Sequence, residues 1–288
     1  VQIKVFTPDG KQVLAIGRQG GRPRTGPWVK DGLLNIHGLA VDTQGRLWVA
    51  EALYFPKRFS VWNNQTGTFI REFFGSTHYG ASGGAINPDD PNLMVGEACE
   101  WRLDPATGLA QCLGTFENGE GRDWNSLFHN FARFCRGTNG KLYLAATLGT
   151  ETHVWERLGD ATYALRATFG RNDKDKTTVF WSDENGDQQK QDGEKTVVPM
   201  PMFFNGYLNF SLGLNTDLTL YAGVLDPKTN RWDRGARIRL AGFTPCGAPK
   251  WDPTNLHFLP PLEGPMPSPA NDLVLSCDSE KQLFNCYD

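Results

Sequence analysis

The chain has 288 residues, 39% hydrophobic and 21% charged, with a net charge of −3. That balance suits a folded globular protein rather than a disordered one, and the slight acidity argues against a nucleic-acid surface. No stretch approaches the ~18–20 consecutive apolar residues that a membrane-spanning helix requires, so no membrane insertion is expected.

Helical periodicity is almost absent, and short alternating apolar runs closed by turn signals replace it. Val1 to Phe6, Pro8-Asp9-Gly10 and Val13 to Ile16 read as a hairpin that starts on a strand rather than on a signal peptide. Gly38 to Val41, Thr43-Gln44-Gly45 and Leu47 to Ala50 read as a second hairpin. Phe59 to Trp62, Asn63 to Gly67 and Phe69-Ile70 read as a third. The units repeat. Leu47-Trp48-Val49-Ala50-Glu51 recurs 46 residues later as Leu93-Met94-Val95-Gly96-Glu97. Thr43 to Ala50 recurs 95 residues later as Thr138 to Ala145. Val179 to Trp181, Leu218 to Tyr221 and Leu273 to Leu275 are further candidates. Six such strands in 288 residues give a period of about 48, which predicts an all-β, six-bladed β-propeller. Five blades are the alternative, because the fourth and fifth units are poorly separated. Residues 1–288 are then one domain, and the ring closes between 1–17 and 270–288.

His37-Gly38-Leu39-Ala40-Val41-Asp42-Thr43-Gln44-Gly45-Arg46-Leu47-Trp48-Val49-Ala50-Glu51 resembles an NHL repeat, and Arg58 to Trp62 and Arg71 to Gly75 resemble that repeat's third and fourth strands. The resemblance is good over residues 1–75, extends to about 170 and then fades. It is also a resemblance to NHL-type propeller regions of large exported bacterial proteins. It implies a fold and an exported setting, extracellular or periplasmic, and it implies no reaction. A module of a larger protein or a monomer is the expected state.

The six cysteines contain no Cys-x-x-Cys pair, which argues against a zinc ribbon or a thioredoxin-like site. Cys99 and Cys112 flank the turn Asp104 to Gly108, and Cys277 and Cys286 flank Asp278 to Lys281. The alternatives are buried thiols, or disulfides 99–112 and 277–286 with 135–246 by elimination, as in an exported protein.

Asp183 to Glu194 places oxygen side chains at positions 1, 3, 5, 9 and 12 of a twelve-residue loop. That is EF-hand spacing: Asp183, Asn185, Asp187, the Gln189 carbonyl, Gln191 through a water, and Glu194 bidentate. Position 6 is Gln188 instead of Gly, position 8 is Lys190 instead of an apolar residue, and no helices flank the loop. The expectation is a lone structural calcium loop inserted in the propeller at 183–194. A solvated acidic turn without an ion is the alternative.

Other chemistry-bearing groups concern a mouth of the propeller. His37 and His129 each precede an inner strand, and His78 is a third imidazole, so zinc or iron is conceivable there. Loop-capping histidines are the plainer reading. Glu51 and Glu97 hold equivalent places and suit metal binding or acid–base work, but Ala146 breaks the series. Arg122, Asp123, Trp124 and Asn125 lie in a long polar, aromatic segment suited to a sugar face or a peptide, with His37 and His129 nearby in the fold. No Gly-x-Ser-x-Gly elbow, Walker loop or Rossmann fingerprint occurs. The expected function is an exported binding module for a glycan or protein ligand, stabilised by calcium. The alternative is a metal-dependent hydrolase or lyase with its site in the central channel.

Overall fold

The computed structural model describes residues 1–52, 56–75, 84–96, 98–116, 132–148, 150–204, 212–226, 231–258, 273–277 and 282–286. The chain falls into two compact units, one of residues 1–82, 92–127 and 160–162, the other of 83–91, 128–159 and 163–288.

The described residues are all-β, as expected, with one 3₁₀ turn at Asp192–Glu194 as their only helical element. β1 (Ile3–Phe6) and β2 (Gln12–Ile16) form a hairpin, and β3 (Gly26–Pro27) is a short edge strand. β4 (Ile36–Val41), β5 (Arg46–Glu51), β6 (Arg58–Asn63) and β7 (Phe69–Phe74) make a four-stranded antiparallel meander. That is the sheet from which a propeller blade is made, and it falls on the segment that resembles an NHL repeat. β8 (Ala85–Asn87), β9 (Asp90–Gly96), β10 (Cys99–Asp104) and β11 (Leu109–Thr115) follow, with β3 adding to the edge of β11.

β12 (Ala132–Arg136), β13 (Leu142–Leu148), β14 (Glu151–Gly159), β15 (Thr162–Asn172), β16 (Thr177–Ser182) and β17 (Lys195–Val198) form one six-stranded sheet in chain order. Its long members β14 and β15, of 9 and 11 residues, explain why the 48-residue spacing is lost here. β18 (Met202–Phe203), β19 (Leu220–Asp226) and β20 (Arg231–Ile238) come next, then the hairpin of β21 (Leu240–Phe243) and β22 (Pro249–Trp251). β23 (His257–Phe258) pairs with β20, and β24 (Leu273–Cys277) pairs with β25 (Gln282–Cys286).

One turn recurs at five places among the described residues. In Asp42 to Arg46 the Gly45 amide donates to the Asp42 carbonyl and the Asp42 amide donates to the Arg46 carbonyl. Thr7 to Lys11, Gly137 to Lys141, Asn215 to Thr219 and Thr244 to Ala248 repeat both bonds. This is a type I turn closed by a residue in the left-handed region, the residue that lets a three-residue loop follow the twist of its strands. Gly10, Gly45, Gly140 and Gly247 hold that position at φ of 87°, 71°, 79° and 95°. Leu218 holds it at φ 67°. A non-glycine residue pays about 1–2 kcal/mol there, and burial of a leucine side chain recovers about 1.5–3 kcal/mol. Leu218 is fully buried, so the burial wins.

The first unit packs Ile16, Leu33, Leu47, Val49 and Trp62 into its core. The second has a larger core that includes Tyr143, Phe169, Phe180, Met202, Leu214, Leu220 and Ile238.

The disulfide expectation is corrected. Cys99, Cys112, Cys135 and Cys246 are all thiols. The hairpin register set by Asp104 opposite Leu109 puts Cys112 opposite Trp101, and a shift between Glu100 and Trp101 puts Cys99 opposite Thr115. The two α-carbons are then roughly 8 Å apart, beyond the ~7 Å a disulfide spans. Cys135 instead faces the Asn215 carbonyl and Cys246 the Asp183 carbonyl. Cys277 is opposite Gln282 and Cys286 opposite Leu273 in the last ladder, and the side chains of that expected pair lie outside the described residues.

Candidate ligand-binding groove

Strand alternation builds the site. In β15 to β17 one face carries Ala167, Phe169, Phe180 and Val198, all in the second unit's core. The other face carries Thr168, Gly170 and Asn172 from β15, Val179 and Trp181 from β16, and Lys195 and Val197 from β17. Over this second face lies a cavity of about 620 Å³. Its size is that of a small-molecule site.

Gly170 lies where two backbones come closest. A Cβ there would stand 2.4 Å from the Thr150 carbonyl oxygen and 2.7 Å from the Glu151 α-carbon. The missing side chain lets Thr150 and Glu151 come down as one wall of the groove. Lys190, from the β16–β17 connection, faces that wall, and its Nζ lies 2.7 and 2.8 Å from the two carboxylate oxygens of Glu151. His153 Nε2 lies 2.8 Å from the same carboxylate. Burial pushes the Glu151 carboxyl up, but His153 and Lys190 outweigh it and hold its pKa at about 2. At the far end Arg171 stacks on the Phe203 ring at 3.7 Å and pairs with Asp173. Lys195 pairs with Asp192 at 2.8 Å. Each cation of the rim therefore has its own carboxylate, while the floor of Gly170, Val179, Trp181 and Val197 is mainly apolar.

The 183–194 loop forms the side of this groove. Its backbone takes the left-handed turn that EF-hand spacing demands at position 6, since Gln188 has φ 61°. The donors, however, are occupied. Asp183 is fully buried, accepts from the Gly186 amide and pairs with Arg166 at 2.9 Å. Glu194 accepts from Trp181 Nε1 at 2.7 Å and from the Glu184 amide at 3.0 Å. Asn185 and Asp187 each accept the amide two residues on, and Gln191 donates to Asp187. Asp183, Asp187 and Glu194 do not come together as a metal-holding group. With Arg166 in the place of a cation, the donors Asp183, Asn185, Asp187, Gln189, Gln191 and Glu194 as arranged do not fit calcium.

His37 sits exposed on β4, its Nε2 3.3 Å from Asn35 Nδ2. Arg122, Asp123, Trp124, Asn125, His129, His78 and Glu97 lie outside the described residues. Glu51 is buried, accepting from the Leu34 amide and from Arg58, which is a structural use of that carboxylate. Among the described residues no three His, Cys, Asp or Glu side chains form a metal-holding group, so the hydrolase or lyase reading gains no support from them. The sequence reading missed the groove itself. Its available signal was Lys190, the departure from EF-hand pattern that turns outward to Glu151.

No family model matches the chain. No curated protein matches it. Solved structures similar to it include a functionally unknown protein from Desulfotomaculum acetoxidans, at 13% identity and TM-score 0.32, covering 88% of this chain and 79% of that one. A protein from Lactobacillus plantarum shows 12% identity and TM-score 0.33, over 90% and 86%. The periplasmic gluconolactonase of Pseudomonas aeruginosa shows 14% identity and TM-score 0.29, over 91% and 80%. Likenesses this loose transfer no residue and no activity.

Proposed function

We propose that the chain is a propeller-type binding module that takes a short, largely uncharged glycan in the groove over β15 to β17. The observation that carries this reading is the pairing of an apolar floor with a charge-compensated polar rim. The C–H face of a sugar ring suits Val179 and Val197, with the buried Trp181 beneath them, and its hydroxyls suit Thr150, Asn172 and Lys195. A strongly charged ligand would have to break Lys190–Glu151 or Lys195–Asp192. The NHL-type pattern of residues 37–51 supports the propeller part of this proposal, and export is proposed on that resemblance alone.

The test is calorimetric titration of a panel of neutral oligosaccharides into the wild type and into Val197→Asp. Val197 is 57% exposed, so the variant keeps its fold. The expected result is saturable binding of at least one glycan, weakened about tenfold or more by the substitution. Binding that is indifferent to Val197, or seen only with acidic peptides, would overturn the reading.

A further inference from the structure

The first unit buries a second set of charges, apart from the groove. Arg58 is fully buried and donates to the Gly32 carbonyl at 2.7 Å, to the Lys30 carbonyl and to Glu51. Its Nε lies 2.8 Å from Glu72. Glu72 also accepts from Trp28 Nε1 at 3.1 Å. Glu51 and Glu72 thus each already accept hydrogen bonds within the group.

Arg22 is the less well satisfied of the two guanidinium groups: Arg58 lacks a hydrogen bond only at Nε, Arg22 at all three nitrogens. Its side chain is 1% exposed, and Nε, Nη1 and Nη2 have no hydrogen-bond partner. It stacks over Trp28, 4.8 Å from the ring centroid, on a ring that Arg58 also approaches at 5.3 Å. The nearest carboxylate oxygen belongs to Glu51, 3.5 Å from Nε. That oxygen is already an acceptor for Arg58, and the other accepts from the Leu34 amide. Burial draws the pKa of Arg22 below the ordinary arginine value; Glu51 acts against this and Arg58 adds to it. A guanidinium nevertheless keeps its proton in proteins and presents five N–H donors in a flat fork. A buried charge with its donors unmet is costly, and such groups are found with a partner.

We propose that Arg22 is the recognition group of a second site, which takes a small oxyanion by two parallel N–H···O bonds. The fork matches two coplanar oxygens, as in a carboxylate or phosphate, and Trp28 supplies a flat wall beneath it. The strap that carries Arg22 closes the site. It is held to its return limb by the Arg18 amide on the Asp31 carbonyl at 2.7 Å and the Arg22 amide on the Leu33 carbonyl at 3.4 Å. The Arg18 side chain also pairs with Asp31 at 3.1 Å, and the Arg24 carbonyl accepts from Thr115 Oγ1 at 2.6 Å, so entry requires the strap to open between these anchors.

The experiment melts the full chain in sodium phosphate, sodium acetate and sodium chloride at equal ionic strength. Arg22→Met, which keeps an apolar stem and removes the donors, and Val197→Asp, which alters only the groove, are melted alongside. The wild type is expected to rise by about 3 °C at ten times the dissociation constant of the preferred oxyanion, relative to chloride. Arg22→Met is expected to lose that rise and to melt in chloride no lower than the wild type. Val197→Asp is expected to keep it. A rise with phosphate alone assigns a phosphate-like ligand, and a rise with acetate alone assigns a carboxylate; either supports the site. No oxyanion-specific rise in the wild type overturns the proposal. So does an equal rise in Arg22→Met, or loss of the rise in Val197→Asp. Should Arg22→Met fail to fold, Arg22→Lys replaces it, and an undiminished rise there likewise overturns the bidentate assignment.

Discussion

Replacing Gly170 by alanine tests both the sheet and the groove. The new methyl would stand 2.4 Å from the Thr150 carbonyl oxygen and 2.7 Å from the Glu151 α-carbon, against an ordinary contact of about 3.5 Å. Both obstacles are backbone, so no side chain can swing aside. The Thr150–Glu151 segment must retreat by about 1 Å, stretching the bond from the Arg171 amide to the Thr150 carbonyl, now 3.2 Å. Overpacking costs about 1–3 kcal/mol and a weakened hydrogen bond about 1 kcal/mol more, giving about 2–4 kcal/mol. At about 2–4 °C per kcal/mol, the melting temperature should fall by roughly 5–15 °C. Gly159 is the control, because a methyl there meets nothing within 4 Å. Gly159→Ala should change stability by no more than about 1 kcal/mol, in the stabilising direction. The assay is urea unfolding of both variants beside the wild type. The same shift should move Glu151 away from Lys190 and weaken glycan binding. Equal stability of the two alanine variants would refute the packing argument.

Arg58→Ala should cost about 3–5 kcal/mol in urea unfolding, because it leaves Glu51 and Glu72 buried against each other; a loss under 1 kcal/mol would show the charges to be solvated. The depressed pKa of Glu151 gives stability that is present above about 4.5 and lost as the pH falls towards about 2. The difference in unfolding midpoint between the wild type and Glu151→Gln should therefore shrink across that window, and a pH-independent difference contradicts the assignment. EDTA should leave the melting temperature unchanged, since Arg166 already neutralises Asp183. A fall of several degrees, with about one calcium per chain by mass spectrometry, would show that the 183–194 loop rearranges around the ion.

Much of the fold was legible because its turns are local. Pro8-Asp9-Gly10, Thr43-Gln44-Gly45 and Thr138-Asn139-Gly140 each put glycine where the backbone turns left-handed, so their hairpins could be read directly. Asn215 to Thr219 makes the same turn without glycine, and Leu218 is held there by burial that no local pattern announces. The cysteine pairs failed for a comparable reason. Cys99 and Cys112 flank a turn, but the turn closes on Asp104 and Leu109, so the two cysteines stand five and three residues from it and do not face each other. The spacing of Asp183 to Glu194 was readable, but its left-handed turn was not, because Gln188 stands where a glycine would have announced it. Also unreadable was Arg166, seventeen residues earlier on β15, which meets Asp183 only because β15 and β16 pair. The groove is non-local in the same sense: Glu151 and Lys190 are 39 residues apart, and only the sheet joins them.

The central claim is that ligand binds on the outward face of β15 to β17. The most direct measurement is the indole N–H spectrum of ¹⁵N-labelled protein during titration with the oligosaccharide that binds best, with the Trp181 signal assigned through Trp181→Phe. The expected result is a saturable shift of the Trp181 signal that disappears in Val197→Asp. Saturable binding that leaves Trp181 unmoved, with Val197→Asp binding as well as the wild type, would place the ligand elsewhere and contradict the account.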